Sequence, residues 1–271
     1  MYTLRNDELT VMVMDPVADQ AHLGTRYCTG GYIYQIEDNQ RGPLLAGPDY
    51  PGPFSPFNGQ GIPDAFNLSP LRELNTGEGP HLILGVGLCD LHTEKTLEPC
   101  DWQITSEPDT LSFRTEQAMQ GWALTLERRL TLTRRTVRSW TRVTNTGRAF
   151  LPLRWFPHPF FPPPAGDEFC RLNVPVSLRD NPGYELAPNG FIRRRAGAPP
   201  EGCFLALEHE AQSNLTVLQR HPVLGLVAGT CSYVPAFFPI WGNRRTFSWE
   251  PYFERMMAAG QTMTWWIDYD F

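Results

Sequence analysis

From Trp122 to Leu132 apolar and polar positions alternate, with Trp122, Leu124, Leu126, Leu130 and Leu132 on one side and Ala123, Thr125, Glu127, Arg129 and Thr131 on the other. A two-residue period places one set on the buried face of a β-strand. Arg128 interrupts the buried set, so it either points inward to line a site or sits at a twist or sheet rim. The polar run Thr133-Arg134-Arg135-Thr136 reverses the chain. A second strand then returns to Asn145 with Val137, Ser139, Thr141 and Val143 on one side. The two strands form a long hairpin.

Asn145-Thr146-Gly147 makes the next turn, its glycine free to take positive φ. In the Leu151 to Phe161 segment, Arg154, Phe156, His158 and Phe160 share one face, and Leu153, Trp155 and Pro157 share the other. Proline cannot donate to a sheet ladder, so Pro157 and Pro159 make the region of His158 an edge, a bulge or a strand end. Thr246, Ser248, Glu250 and Tyr252 share a face by the same alternation. A final strand carries Met263, Trp265, Ile267, Tyr269 and Phe271 opposite Thr264, Trp266, Asp268 and Asp270, after a turn at Ala258-Ala259-Gly260-Gln261.

No segment longer than about ten residues shows helical periodicity, and 26 prolines and 23 glycines are spread along the chain, which suits the many connections of an all-β fold. Pro48 to Pro70 and Asn181 to Gly202 are turn-rich and read as long loops over a sheet, where binding residues usually sit. The 271 residues suffice for one large β domain or two small ones. Without a repeat or a low-complexity linker, a single domain over residues 1–271 is expected.

Composition narrows the function classes. With 41% hydrophobic and 19% charged residues the chain has matter for a substantial core. The net charge is −6 and Lys95 is the only lysine, so there is no basic footprint for nucleic acid. Arg193-Arg194-Arg195 is the one dense positive spot and reads as a solvated turn, with a phosphate contact as the rival reading. Cys28, Cys89, Cys100, Cys170, Cys203 and Cys231 lack metal-like spacing and read as reduced core residues. Met1 to Thr10 has no signal-peptide pattern, and no apolar run approaches a membrane span, so a cytoplasmic protein without membrane contact is expected.

Two islands carry the chemistry: Leu153-Arg154-Trp155-Phe156-Pro157-His158-Pro159-Phe160-Phe161 and Phe247-Ser248-Trp249-Glu250-Pro251-Tyr252-Phe253. Each sets one titratable group among rings suited to stack on a pyranose. Glu250 and Glu254 lie four apart, roughly 13 Å along a strand, beyond the spacing of glycosidase carboxylate pairs. No nucleophile elbow, P-loop or zinc-protease motif occurs. Neighbouring strand residues face opposite ways, so His92-Thr93-Glu94 and His209-Glu210 suggest no metal site.

The succession Val143-Thr144-Asn145-Thr146-Gly147, His158-Pro159-Phe160-Phe161, Trp249-Glu250-Pro251-Tyr252 and Trp265-Trp266-Ile267-Asp268-Tyr269 resembles the aldose 1-epimerase (galactose mutarotase-like) family, from about Arg26 to the C-terminus. The resemblance implies an antiparallel β-supersandwich whose concave face binds a sugar. It also implies that Glu250 removes the proton of the anomeric hydroxyl while His158 protonates the ring oxygen. Thr25-Arg26-Tyr27 with Gly30-Gly31-Tyr32-Ile33 is similar to the family's early strand pair, which brings Arg26 to the cleft wall. Phe57-Asn58-Gly59-Gln60-Gly61-Ile62-Pro63 resembles the loop entering the cleft and makes Gln60 a sugar ligand. Where the family carries a second histidine in a His-Gly segment, this chain reads His81-Leu82-Ile83-Leu84-Gly85, so His81 fills that place or the role is absent.

Mutarotation needs one proton removed and one delivered. An acid and a base on opposite sides of the ring suffice, with no cofactor or metal. Histidine titrates in the right range, and Trp249, Tyr252 and Phe253 are placed to raise the Glu250 pKa by desolvation. The rate should fall at low pH as the glutamate protonates and at high pH as the histidine loses its proton. The expected protein is a monomeric or homodimeric isomerase acting on a hexose or related sugar. A non-catalytic carbohydrate-binding domain with the same cleft is the alternative.

Overall fold

The structure, a computed structural model, describes residues 1–68 and 80–271. Its main layer is an antiparallel ten-stranded sheet in the order Tyr184–Leu186, Ile192–Arg194, Glu168–Leu172, Thr216–His221, Gly225–Cys231, Thr262–Asp270, Thr136–Asn145, Trp122–Thr133, Thr110–Met119, Gln103–Ser106. The hairpin lies within it, Thr133 opposite Thr136, with Arg134 at a φ of 51° in the reversal. Trp265, Ile267 and Tyr269 of the last strand are buried as their alternation requires.

Smaller sheets build the other layer. One pairs Phe253–Met257, Leu151–Pro157 and Asp64–Leu68; another pairs Val176–Leu178, Cys203–His209, Phe238–Gly242 and Phe247–Trp249. Rings from the two layers meet: Trp155 and Trp265 at 5.4 Å, Phe253 and Trp265 at 4.3 Å, Trp249 and Tyr269 at 5.9 Å. Leu124, Leu126, Leu130, Val137 and Ile267 complete this one continuous core. The N-terminal strands form a four-stranded sheet, and His81–Ile83, Gly87–Asp90 and Lys95–Pro99 form a three-stranded one. Among the described residues the only helical element is a 3-10 turn at Gln20–His22, and no helix is long and apolar enough to cross a membrane.

Several expectations change. Pro48 to Pro70 is not all loop, because Asp64–Leu68 is a strand beside Leu151–Pro157; Ser69 and Pro70 lie outside the described residues. Asn181 to Gly202 contains Tyr184–Leu186 and Ile192–Arg194, which close one edge of the large sheet. The arginine triplet is therefore no solvated turn. Arg193 and Arg195 both pair with the Glu185 carboxylate, while Arg194 donates to the Asn243 carbonyl at 2.5 Å. Gly147 is needed for close approach rather than for positive φ, since an added Cβ would lie 2.6 Å from the Ala123 nitrogen. All six cysteines are free, and Cys28, Cys89, Cys170 and Cys231 are buried.

Arg128 lies in the core rather than at a rim or in the cavity described below. Its Nη2 donates to Asp64 Oδ2 and, at 2.9 Å, to Ser139 Oγ. Asp64 pairs with Pro157 across the neighbouring strands, so this ion pair ties the large sheet to the segment that carries His158.

Candidate active site

His158 follows directly on the Leu151–Pro157 strand. The strand's alternation sends Trp155 to the core and Phe156 to a separate cluster with Tyr27 and Tyr252. Three backbone bonds fix the next residues: His158 N to Pro63 O at 2.7 Å, Phe160 N to Gly61 O at 2.8 Å, and Phe161 N to Phe247 O at 2.9 Å. The imidazole stacks on Phe160 at 4.2 Å between ring centres and stands edge-on to Trp241 at 6.2 Å.

Glu250 directly follows the Phe247–Trp249 strand and is set by the same logic. Phe247 and Trp249 enter the core, which turns Ser248 and Glu250 the other way. Glu250 N donates to Pro239 O at 2.9 Å and Tyr252 N to Phe237 O at 2.8 Å. Ser248 Oγ lies 2.9 Å from His158 Nδ1, and Glu250 Oε1 lies 3.4 Å from His158 Nε2. His158 and Glu250 thus sit side by side, where the sequence suggests an acid and a base on opposite sides of a ring.

Both groups are 5% exposed and border a cavity of about 600 Å³. Burial makes charge expensive in both. It pushes the Glu250 carboxyl up to about 8, against the opposing pull of Arg26. It holds the His158 imidazole well below its ordinary 6.5, and Arg26 acts in the same direction. With both charges suppressed, the 3.4 Å approach is a contact between two neutral groups rather than an ion pair.

Arg26 lines the cavity and is tied to its wall. Its Nη1 donates to Phe57 O at 2.9 Å, and its guanidinium lies over the rings of Tyr27 at 4.9 Å and Phe57 at 5.1 Å. The loop that follows is held by Tyr27 Oη donating to Asn58 O at 3.3 Å and by Gln60 N donating to Tyr32 Oη at 3.0 Å. Gly59 permits this packing: its φ is 80°, and a Cβ there would meet the Tyr27 ring at 2.8 Å.

Two expected sugar ligands are not brought to this cavity. Gln60 is buried and lies outside the lining, which its neighbours Phe57 and Asn58 join. His81 is buried on its own strand opposite Cys89 in the small three-stranded sheet and lies outside the lining. Conversely, Ser248, Trp241, Asn243 and Phe204 were not singled out as site residues by the sequence. Ser248 was within reach, because it shares an alternating face with Glu250. Among the described residues, no group of three or more histidine, cysteine or acidic side chains is arranged to hold a metal.

No protein-family model and no curated protein matches the chain. Solved structures do. A galactose mutarotase related enzyme from Lactobacillus acidophilus aligns with a TM-score of 0.66 at 12% identity, over 99% of this chain and 96% of that one. A galactose mutarotase-like protein from Lactobacillus casei gives 0.60 at 13% identity over 100% and 99%. An aldose epimerase homologue from C. elegans gives 0.52 at 12% identity over 99% and 97%. At such identities the likeness speaks for architecture, and the chain has the galactose mutarotase-like fold.

Proposed function

We propose that the protein is an aldose 1-epimerase-like isomerase that interconverts the α and β anomers of an uncharged sugar, with His158 and Glu250 as its proton-transfer pair. The observation that carries this reading is their 3.4 Å approach at the buried end of a ring-lined cavity. The two oxygens between which mutarotation moves a proton, the anomeric hydroxyl and the ring oxygen, are bonded to the same carbon. An acid and a base that lie side by side can therefore serve both. Apart from the His158–Glu250 pair, the lining's ionisable side chains are Arg26, Asp49 and Glu201, with a single cation among them, which favours a neutral sugar over a phosphorylated one.

The pair works through a single exchangeable proton. When Glu250 holds it, His158 Nδ1–H donates to Ser248 Oγ and the Nε2 lone pair is open to the substrate. The carboxylic acid then protonates the ring oxygen while Nε2 takes the hydroxyl proton. The C1–O5 bond breaks, the aldehyde forms, and rotation about C1–C2 presents the other carbonyl face. Reclosure returns both protons. The alternative distribution, carboxylate beside imidazolium, holds the same number of protons and exchanges the roles, but burial disfavours both of its charges. Arg26, anchored to the Phe57 carbonyl, orients sugar hydroxyls at the wall.

Burial sets the pH dependence. The pair holds one transferable proton from the depressed His158 value, well below 6.5, up to the Glu250 value of about 8. Below this window the imidazole takes a second proton and no base remains; above it the carboxyl loses the last one and no acid remains. The low-pH limb therefore belongs to the histidine and the high-pH limb to the glutamate, the reverse of the assignment that ordinary pKa values suggest. Anomer exchange followed by NMR between about pH 5 and 9 should show a plateau through neutrality and a fall near pH 8. An alkaline fall already centred at 6.5 would contradict the reading.

A further inference from the structure

The cavity is too large and its mouth too aromatic for a single hexose. The roughly twelve non-hydrogen atoms of a hexose, each given at most the ~30 Å³ of a liquid water, fill no more than about 360 Å³. The cavity offers about 600 Å³. The surplus lies outward, because the deep end is closed by Phe156, His158, Phe160 and Glu250, all buried.

The lining residues that reach solvent mark that outer part. Phe204 stands opposite Trp241 in the strand pairing, and the Trp241 ring reaches back to within 6.2 Å of the His158 ring centre. Phe57 and Asn58 also belong to the lining. Phe204 is 55% exposed and Phe57 56% exposed, although both line the cavity. Exposed rings beside amide and carboxylate groups match a sugar unit, which offers an apolar C–H face to a ring and hydroxyls to Asn58, Asn243, Asp49 and Glu201.

Building on the anomer-interconverting reading, we propose that the cleft takes the reducing end of an uncharged oligosaccharide. The anomeric carbon lies at His158 and Glu250, and the next sugar unit lies against Trp241 and Phe204 at the mouth. The chemistry stays at the reducing end and no glycosidic bond is broken.

The test compares glucose and galactose with maltose, cellobiose and lactose as substrates for anomer exchange, in wild-type protein and in Phe204→Ala. The expected result is a kcat/KM about tenfold higher for at least one disaccharide than for its reducing-end monosaccharide, falling to a ratio of about one in F204A, as loss of a stacking ring requires. Equal handling of both classes by the wild type, or a preference that survives in F204A, would overturn the inference. Disaccharide binding read from NMR titration separates this from failure of the catalytic reading. No exchange with any sugar, but disaccharide binding that F204A weakens, sustains the outer subsite and removes the enzyme; no disaccharide binding removes the subsite.

Discussion

Glu250→Gln is expected to slow anomer exchange by about 10²-fold or more, the usual worth of a positioned acid/base group, with little change in sugar affinity. The amide keeps the shape of the carboxyl but can neither deliver nor accept the proton that the pair shares with His158. The same substitution should stabilise the protein. A carboxyl whose folded value is about 8 against an ordinary 4.5 keeps its proton in the fold while the unfolded chain releases it. The resulting stability is complete below pH 4.5 and is lost as pH rises towards 8. By linkage the loss at pH 7 is about 3 kcal/mol. Glutamine carries no such loss. Urea unfolding should therefore show E250Q more stable than wild type at pH 7, with the gap closing near pH 4. A variant that is inactive but no more stable would mean that Glu250 is less shielded than its 5% exposure implies.

The second large effect lies in the core. Arg128→Met leaves the Asp64 carboxylate buried without its cation and should cost about 3–5 kcal/mol. Replacing both, as Arg128→Met with Asp64→Asn, should recover most of that loss. The native pair is itself incompletely satisfied: Arg128 Nε and Nη1 and Asp64 Oδ1 have no hydrogen-bond partner. Denaturant midpoints of the two variants decide the matter, and a single variant within about 1 kcal/mol of wild type would show the pair to be dispensable. Asp64 lies beside Pro63, whose carbonyl receives the His158 N–H at 2.7 Å, so the single variant should lose activity as well as stability.

What the sequence disclosed, it disclosed through period. The hairpin from Trp122 to Asn145 and the closing strand at Thr262–Asp270 are long enough for alternation to register, and both lie at the centre of the large sheet. The same alternation aimed Phe156, His158 and Phe160 together and put Ser248 beside Glu250. Strands as short as Tyr184–Leu186 and Ile192–Arg194 contain three residues, too few to show a period among prolines and glycines, so they passed for loop. Asp64–Leu68 was hidden by the prolines around it. Trp241 and Phe204 reach the cavity only through pairing of strands distant in sequence, which no local pattern reveals. The reversed proton affinities arise from burial on every side, a property of the assembled layers rather than of the residues next to Glu250. His81 and Gln60 rest on motif resemblance alone, and neither is among the residues lining this cavity.

The central claim is turnover, and two-dimensional exchange NMR on wild-type protein with reducing sugars at neutral pH tests it most directly. The account predicts α-to-β cross-peaks whose rate rises in proportion to protein concentration above the buffer rate and returns to it in E250Q. Sugar resonances that broaden or shift on binding while anomer exchange stays at the buffer rate would contradict it and identify a carbohydrate-binding domain instead.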